Sequence, residues 1–191
     1  MISDDQIIKG CRKGKRHAFN MLYKKYASVM LGICMRYSRN RPEAEDVLQE
    51  GFIRVFNNIN SFEGRGSFEG WLKRIMVNTA INQFKAGKKH MIYDDIDTSS
   101  RAIAALSTTA GEEVYEGDFS QEELLGMIND LPDGYRMVFN LFVIEEMSHK
   151  EIAAILEFSE NTSKSQLSKA RKWLRARIVE KQKKYSNYER V

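Results

Sequence analysis

The amino-acid sequence predicts an all-α protein, two small helical domains joined by a flexible acidic linker. Three observations carry that expectation. Pro42 and Pro132 are the only prolines in 191 residues, so helices can run long. Apolar residues recur three or four positions apart through both ends of the chain. Between them, from about Met91 to Phe119, the periodicity stops in YDDIDTSSRAIAALSTTAGEEVYEGD, a run that is acidic and rich in Ser and Thr. The expected division is a helical domain over 1–90, a linker over 91–119 and a second helical domain over 120–185.

The elements follow in order. Phe19, Leu22, Tyr26, Val29 and Ile33 step by 3, 4, 3 and 4, which is one face of a first helix. Arg39-Asn40-Arg41-Pro42 breaks it, and Pro42 suits the first turn of a second helix. Glu43, Glu45 and Asp46 come next, acid where the helix dipole favours it. Val47, Leu48, Phe52, Val55 and Phe56 form that helix's buried stripe. Residues 57–66 are polar, include Gly64 and Gly66, and read as a loop. Ser67 then caps a third helix reaching about residue 85, with Phe68, Leu72, Ile75 and Thr79 facing inward. A short helix is expected within the linker, over 101–106.

The second domain begins near Ser120. A helix over 121–131 ends at Leu131-Pro132-Asp133-Gly134, and an apolar helix follows over 135–144. Ser148 opens the next, with Glu151 three residues later, the capping-box spacing. Ile152, Ala153, Ile155 and Leu156 are its apolar positions. The turn Phe158-Ser159-Glu160-Asn161 leads to a final helix over about 162–183. There Leu167, Ala170, Leu174 and Ile178 step by 3, 4 and 4.

Composition narrows the function. Hydrophobic residues at 42% and aromatics at 10% can fill one or two small cores, which excludes disorder throughout. No stretch approaches the ~18 apolar residues of a membrane span. The start, MISDDQIIKGCRKGK, has no apolar core of a signal peptide, so no membrane insertion and a cytoplasmic location are expected. Cys11 and Cys34 are too few for a disulfide framework, suit a reducing compartment, and read as small buried residues. His17, His90 and His149 are scattered, and no Gly-rich phosphate loop or nucleophile–base spacing occurs. An enzyme is not expected, nor a cofactor, metal or small-molecule substrate.

The formal net charge of +4 hides an asymmetry. Residues 1–90 hold 17 Lys and Arg against 8 Asp and Glu, and 158–191 hold 10 against 3. Between them, 91–120 hold 1 against 7 and 121–157 hold 2 against 8. Two basic regions with acid between suit two contacts with a polyanion. Charge alone leaves solvated helical surfaces equally open.

Three patterns sharpen this. The segment 148–177 is a helix, a short turn and a basic helix, the helix-turn-helix order in which the second helix enters the major groove. Lys164, Ser165, Ser168, Lys169, Arg171 and Lys172 lie off its apolar stripe, as residues that bond guanine edges or phosphates would. A solvated terminal helix is the bland alternative. On the third helix Trp71, Arg74, Asn78, Asn82, Lys85 and Lys89 share a face, a poor core but a good nucleic-acid surface. The loop before it, Phe62-Glu63-Gly64-Arg65-Gly66, adds an aromatic and a cation. A polar surface helix with a half-buried Trp accounts for that stripe equally well. On the second helix Asp46, Gln49, Glu50 and Arg54 form one polar face opposite the apolar stripe. Its simplest account is an exposed face with a Glu50–Arg54 pair.

The run DVLQEGFIRVF, followed by SFEGWLKRIMVN, resembles region 2 of bacterial sigma factors. The segment LPDGYRMVFNLFVIEEMSHKEIAAIL, followed by SENTSKSQLSKARKWL, resembles their region 4. Two regions in this order with only a short linker between them are similar to the extracytoplasmic function (ECF) group of the sigma-70 family. The resemblance covers roughly 15–90 and 120–180.

It implies a transcription initiation factor that binds core RNA polymerase, directs it to promoter DNA and helps melt the −10 region. Asp46, Gln49, Glu50 and Arg54 match the surface that docks on the clamp of the polymerase's largest subunit. Phe62, Arg65, Trp71, Arg74, Asn78, Asn82 and Lys85 match the area that handles the −10 element. There a base is flipped out, at a few kcal/mol, and a pocket must repay that cost. Lys164, Ser165, Ser168, Lys169 and Arg171 match the −35 reader. The resemblance also implies an anti-sigma factor as a partner. The acidic linker, with Asp94, Asp95, Asp97, Glu112 and Glu113, would suit a positively charged nucleic-acid channel.

Two residues depart from expectation. Gly51 sits in mid-helix, a cost of about 1 kcal/mol relative to Ala. Ser163 stands where the family usually has an apolar residue. Two other classes compete. A DNA-binding repressor needs a helix-turn-helix but neither the Asp46–Arg54 face nor the Trp71 stripe. A polymerase-binding adaptor needs the first domain but not the basic final helix.

Overall fold

A computed structural model describes residues 3–88 and 119–188, and every regular element among them is helical. The chain divides into two compact units, Met1–Ala86 and Gly87–Val191. The expected helix over 101–106, Lys89, and the linker acids lie outside the described residues.

The first unit opens with a helix that the sequence pattern did not announce, α1 (Asp4–Arg12). Ser3 Oγ accepts from the Gln6 amide at 3.4 Å, Asp4 and Asp5 occupy the first turn, and Ile7, Ile8 and Cys11 are buried. The long helix α2 (Arg16–Tyr37) buries Ala18, Leu22, Tyr26, Met30, Ile33, Cys34 and Tyr37. Val29, expected inside, is 49% exposed, and Met30 takes its place. Steps of 26–29–33 and 26–30–33 are both helical, and packing against α1 and the next helix selects the second. Phe19 is half-buried against Phe56, ring centroids 4.8 Å apart.

Helix α3 (Arg41–Asn58) starts where Asn40 Oδ1 accepts from the Glu43 amide at 2.9 Å, with Pro42 in the first turn. It buries Ala44, Val47, Leu48, Gly51, Phe52 and Val55. A 3-10 turn (Ile59–Ser61) follows, then α4 (Phe68–Lys88), for which Ser67 Oγ accepts from the Gly70 amide at 3.0 Å. Phe68, Leu72, Met76, Val77, Thr79, Ala80 and Ile81 are buried on α4, and Ile75 is half-buried. The buried Thr79 hydroxyl donates to the Ile75 carbonyl at 2.8 Å, so it costs little to hold inside.

The second unit begins with α5 (Gln121–Asn129), shorter than expected. Its capping box is complete: the Glu123 amide donates to Ser120 Oγ at 3.2 Å and the Ser120 amide donates to Glu123 Oε2 at 3.0 Å. The apolar stretch expected as one helix splits into α6 (Asp133–Phe139) and a π-helical turn (Asn140–Ile144). Helix α7 (His149–Leu156) carries the second capping box, Ser148 with Glu151. It ends at Glu157, whose φ of 60° is left-handed. Helix α8 (Glu160–Tyr188) follows. Leu131, Tyr135, Ala170 and Trp173 form a core between the α5–α6 turn, α6 and α8, with Phe139 and Leu174 against it.

Candidate nucleic-acid and protein interfaces

In the first unit the apolar side of α3 is buried, so its opposite side is turned outward. Asp46 and Gln49 are exposed, and Glu50 and Arg54 are half-buried. The expected pair forms: Arg54 Nε donates to Glu50 Oε1 at 2.9 Å. Together these four residues line an open groove with Ile53, Asn82 and Gln83. Ile53 is 53% exposed, an apolar contact in an otherwise polar face. Asn82, which the spacing grouped with the Trp71 stripe, thus also meets the α3 face.

Gly51 explains how α3 and α4 come so close. A Cβ at this position would lie 2.2 Å from Met76 Sδ, and Met76 is fully buried. The glycine is therefore a contact point, not only a propensity loss.

The stripe on α4 is exposed at Arg74, Asn78 and Asn82 and half-buried at Trp71 and Lys85. Phe62, read from the sequence as the aromatic of this loop, is a buried residue. It is 8% exposed, with its ring 5.1 Å from Phe68 and 5.6 Å from Trp71. Trp71 stacks on Phe68 at 5.7 Å and 17°. The Arg12 guanidinium donates to the Phe62 carbonyl, tying α1 to the loop. Phe62 therefore forms the floor under Trp71, because three aromatics together bury more apolar surface than one left in water. Arg65 is open to solvent and pairs with Glu63 at 3.0 Å, between Gly64 and Gly66, which both have positive φ.

Behind this surface, Asp4 anchors α1 to α2. Lys25 Nζ and Tyr26 Oη donate to Asp4 Oδ1 at 2.7 and 2.8 Å. Burial pushes the Asp4 carboxyl up, but these two hydrogen bonds and the Lys25 charge outweigh it and hold the group below its ordinary value. Burial, with the Asp4 bond, pushes the Tyr26 phenol up to about 12. Burial also pushes the Cys34 thiol to about 12, which leaves it protonated and inert near neutrality.

In the second unit the helix-turn-helix presents α8. Lys164, Ser165, Ser168 and Arg171 are exposed and Lys169 is half-buried. Lys164 lies 3.9 Å from Glu160. Leu167, Ala170 and Trp173 are the buried residues of the apolar face, while Leu174 and Ile178 are half-buried. Ser163 is wholly buried, and its hydroxyl shares a hydrogen bond of 2.9 Å with His149 Nδ1. A polar residue is thus accommodated at an inward position by a partner fourteen residues earlier. Sequence spacing places His149 among scattered histidines, although its position beside the Ser148 cap is a signal. Glu151 is held below its ordinary value by hydrogen bonds from the Ser148 side chain and backbone.

Among the described residues no group of His, Cys, Asp or Glu is arranged to hold a metal ion, and no helix is long and apolar enough to cross a membrane.

Comparison with known proteins adds the following. The family model described as Sigma-70 region 2 matches residues 22–90, and that described as Sigma-70, region 4 matches residues 121–174. The chain is 30% identical over 187 residues to the ECF RNA polymerase sigma-E factor of Haemophilus influenzae, covering 93% of this chain and 96% of that one. It is 28% identical over 184 residues to the RNA polymerase sigma-H factor of Pseudomonas aeruginosa, covering 88% and 90% respectively. A solved structure of the sigma factor RpoE in complex with the anti-sigma factor NepR from Bartonella quintana has 20% identity and a TM-score of 0.47, over 85% of this chain and 96% of that one.

Proposed function

The chain belongs to the ECF group of the sigma-70 family of RNA polymerase sigma factors, and from that premise we propose how its two surfaces divide the work of promoter-specific initiation. The protein binds core RNA polymerase and brings it to specific promoters. Asp46, Gln49, Glu50 and Arg54 dock the polymerase, with Ile53 contributing apolar contact. Arg65, Trp71, Arg74, Asn78 and Lys85 handle the −10 element, and Phe62 supports Trp71 from below. Asn82 stands at the junction of these two surfaces. Lys164, Ser165, Ser168, Lys169 and Arg171 read the −35 element.

The observation that carries the reading is one chain with both an outward acid-and-amide face on α3 and an outward basic face on α8. A repressor has no use for the first and an adaptor none for the second. Melting follows from binding energy alone: a pocket that holds a flipped base stabilises the open strand against its few kcal/mol of lost stacking. The chain contributes no catalytic group, and nucleotide addition is the polymerase's. Its partners in this reading are core RNA polymerase, promoter DNA and an anti-sigma factor, and it works in the cytoplasm.

Run-off transcription with sigma-free core polymerase, the purified chain and fragmented genomic DNA from its source tests this. Discrete starts that need the chain are expected, and replacing Asp46, Gln49 and Glu50 together by Ala abolishes them. Sequence-specific duplex binding without polymerase, and no starts with it, would replace the reading by a repressor.

A further inference from the structure

Three elements of the second unit meet in a stack of side chains of which the promoter assignment uses only Arg171. Phe142, from the π-helical turn, lies face to face with His149, the first residue of α7, at 4.5 Å and 23°. The Arg171 guanidinium, from α8, lies over the Phe142 ring at 5.8 Å, within cation–π reach. At its edge His149 is fixed by the buried Ser163 hydroxyl, 2.9 Å from Nδ1. The imidazole therefore has little freedom: one ring atom is bonded to the start of α8 and its face is covered by Phe142. Arg171 is by contrast exposed, on a side chain that would otherwise sample many rotamers.

We propose that His149 and Phe142 are positioning residues for promoter recognition, a ring stack that pre-orients Arg171 toward the −35 duplex. The inference rests on the reading of Arg171 as a −35 contact. Holding the guanidinium before DNA arrives removes part of the ordering cost of binding. A planar, bidentate donor gains most from that in sequence discrimination. The stack also gives Ser163 a purpose. An apolar residue there would fill space, whereas the hydroxyl sets the plane of His149.

The test uses the full chain assembled with core polymerase. The probe is a duplex selected by the wild-type holoenzyme from a pool randomised across the −35 segment, with a scrambled duplex as reference. His149→Ala and Phe142→Leu are each expected to lower preference for the selected duplex by about 3- to 10-fold, the scale of ordering one long side chain, and Arg171→Ala, which removes the contact itself, by at least as much. In the Arg171→Ala background, His149→Ala is expected to add almost nothing. Phe142→Tyr, which keeps a flat ring between His149 and Arg171, is expected to hold preference where Leu does not. Thermal melting of each variant is followed alongside, and if His149→Ala melts, Phe142→Leu with Arg171→Ala makes the same comparison. Effects that multiply in the double variant, or a Phe142→Tyr variant as poor as Phe142→Leu, overturn the inference while leaving Arg171 a DNA contact. An Arg171→Ala chain with unchanged preference overturns the −35 assignment and the inference with it.

Discussion

Gly51 carries opposite meanings in isolation and in the fold. By helix propensity alone, alanine at this position gains about 1 kcal/mol. In the structure an added methyl lands 2.2 Å from the sulfur of a fully buried Met76. Overpacking a core costs roughly 1–3 kcal/mol, so Gly51→Ala is expected to destabilise the protein in a urea titration, and a more stable variant would contradict that close approach. Asp4 shows the same dependence on distant partners. Its carboxyl is held below its ordinary value, so its contribution is fully present above that value and fades as pH falls through the lowered one. Asp4→Asn is therefore expected to be less stable than wild type at neutral pH, with the two melting curves converging in acid. A gap that persists unchanged in strong acid would show that the Lys25 and Tyr26 bonds do not depend on the charge. Neither effect was readable from local sequence, because Met76, Lys25 and Tyr26 are more than twenty positions away.

Elements were most legible where their boundaries are chemical. The Ser148–Glu151 capping box and Pro42 in the first turn of α3 stand as the spacing implied, while the Ser120–Glu123 box and the Asn40 cap came only with the structure. Elements were least legible where packing alone shapes them. The stretch over 135–144 is apolar apart from Arg136 and Asn140, and periodicity contains no sign that it becomes π-helical at Asn140, a residue wholly buried. The turn between α5 and α6 is another such place. Arg136 is 4% exposed, donates to the Asn129 and Leu131 carbonyls at 2.8 and 3.2 Å, and pairs with Asp133 at 2.7 Å. It satisfies the open end of α5 from inside the core. Removing one partner of a buried pair costs about 3–5 kcal/mol, so Arg136→Ala is expected to lower the melting temperature of the second unit sharply. A shift no larger than that of an exposed Arg175→Ala control would show that the carbonyls find water instead.

At the scale of the whole molecule, charge asymmetry becomes a statement about salt. Removing one cation from a duplex phosphate lowers the slope of log binding constant against log salt by about 0.9. Holoenzyme carrying Lys164→Gln is expected to show that reduction and Ser165→Ala to show none. Equal slopes for Lys164→Gln and wild type would remove Lys164 from the duplex. By itself the sequence determined the helical class, the two helical regions, the caps and the charged faces, because spacing, capping and charge are properties of neighbours along the chain. Only the tertiary structure decided which of two adjacent stripes is buried on α2. It alone turned Phe62 under Trp71, brought Asn82 to the α3 groove, set Gly51 against Met76, and assembled Phe142, His149 and Arg171 into one stack. The physical reason is the same in each case: a helix with 3.6 residues per turn offers several neighbouring faces, and only the surfaces it meets select among them.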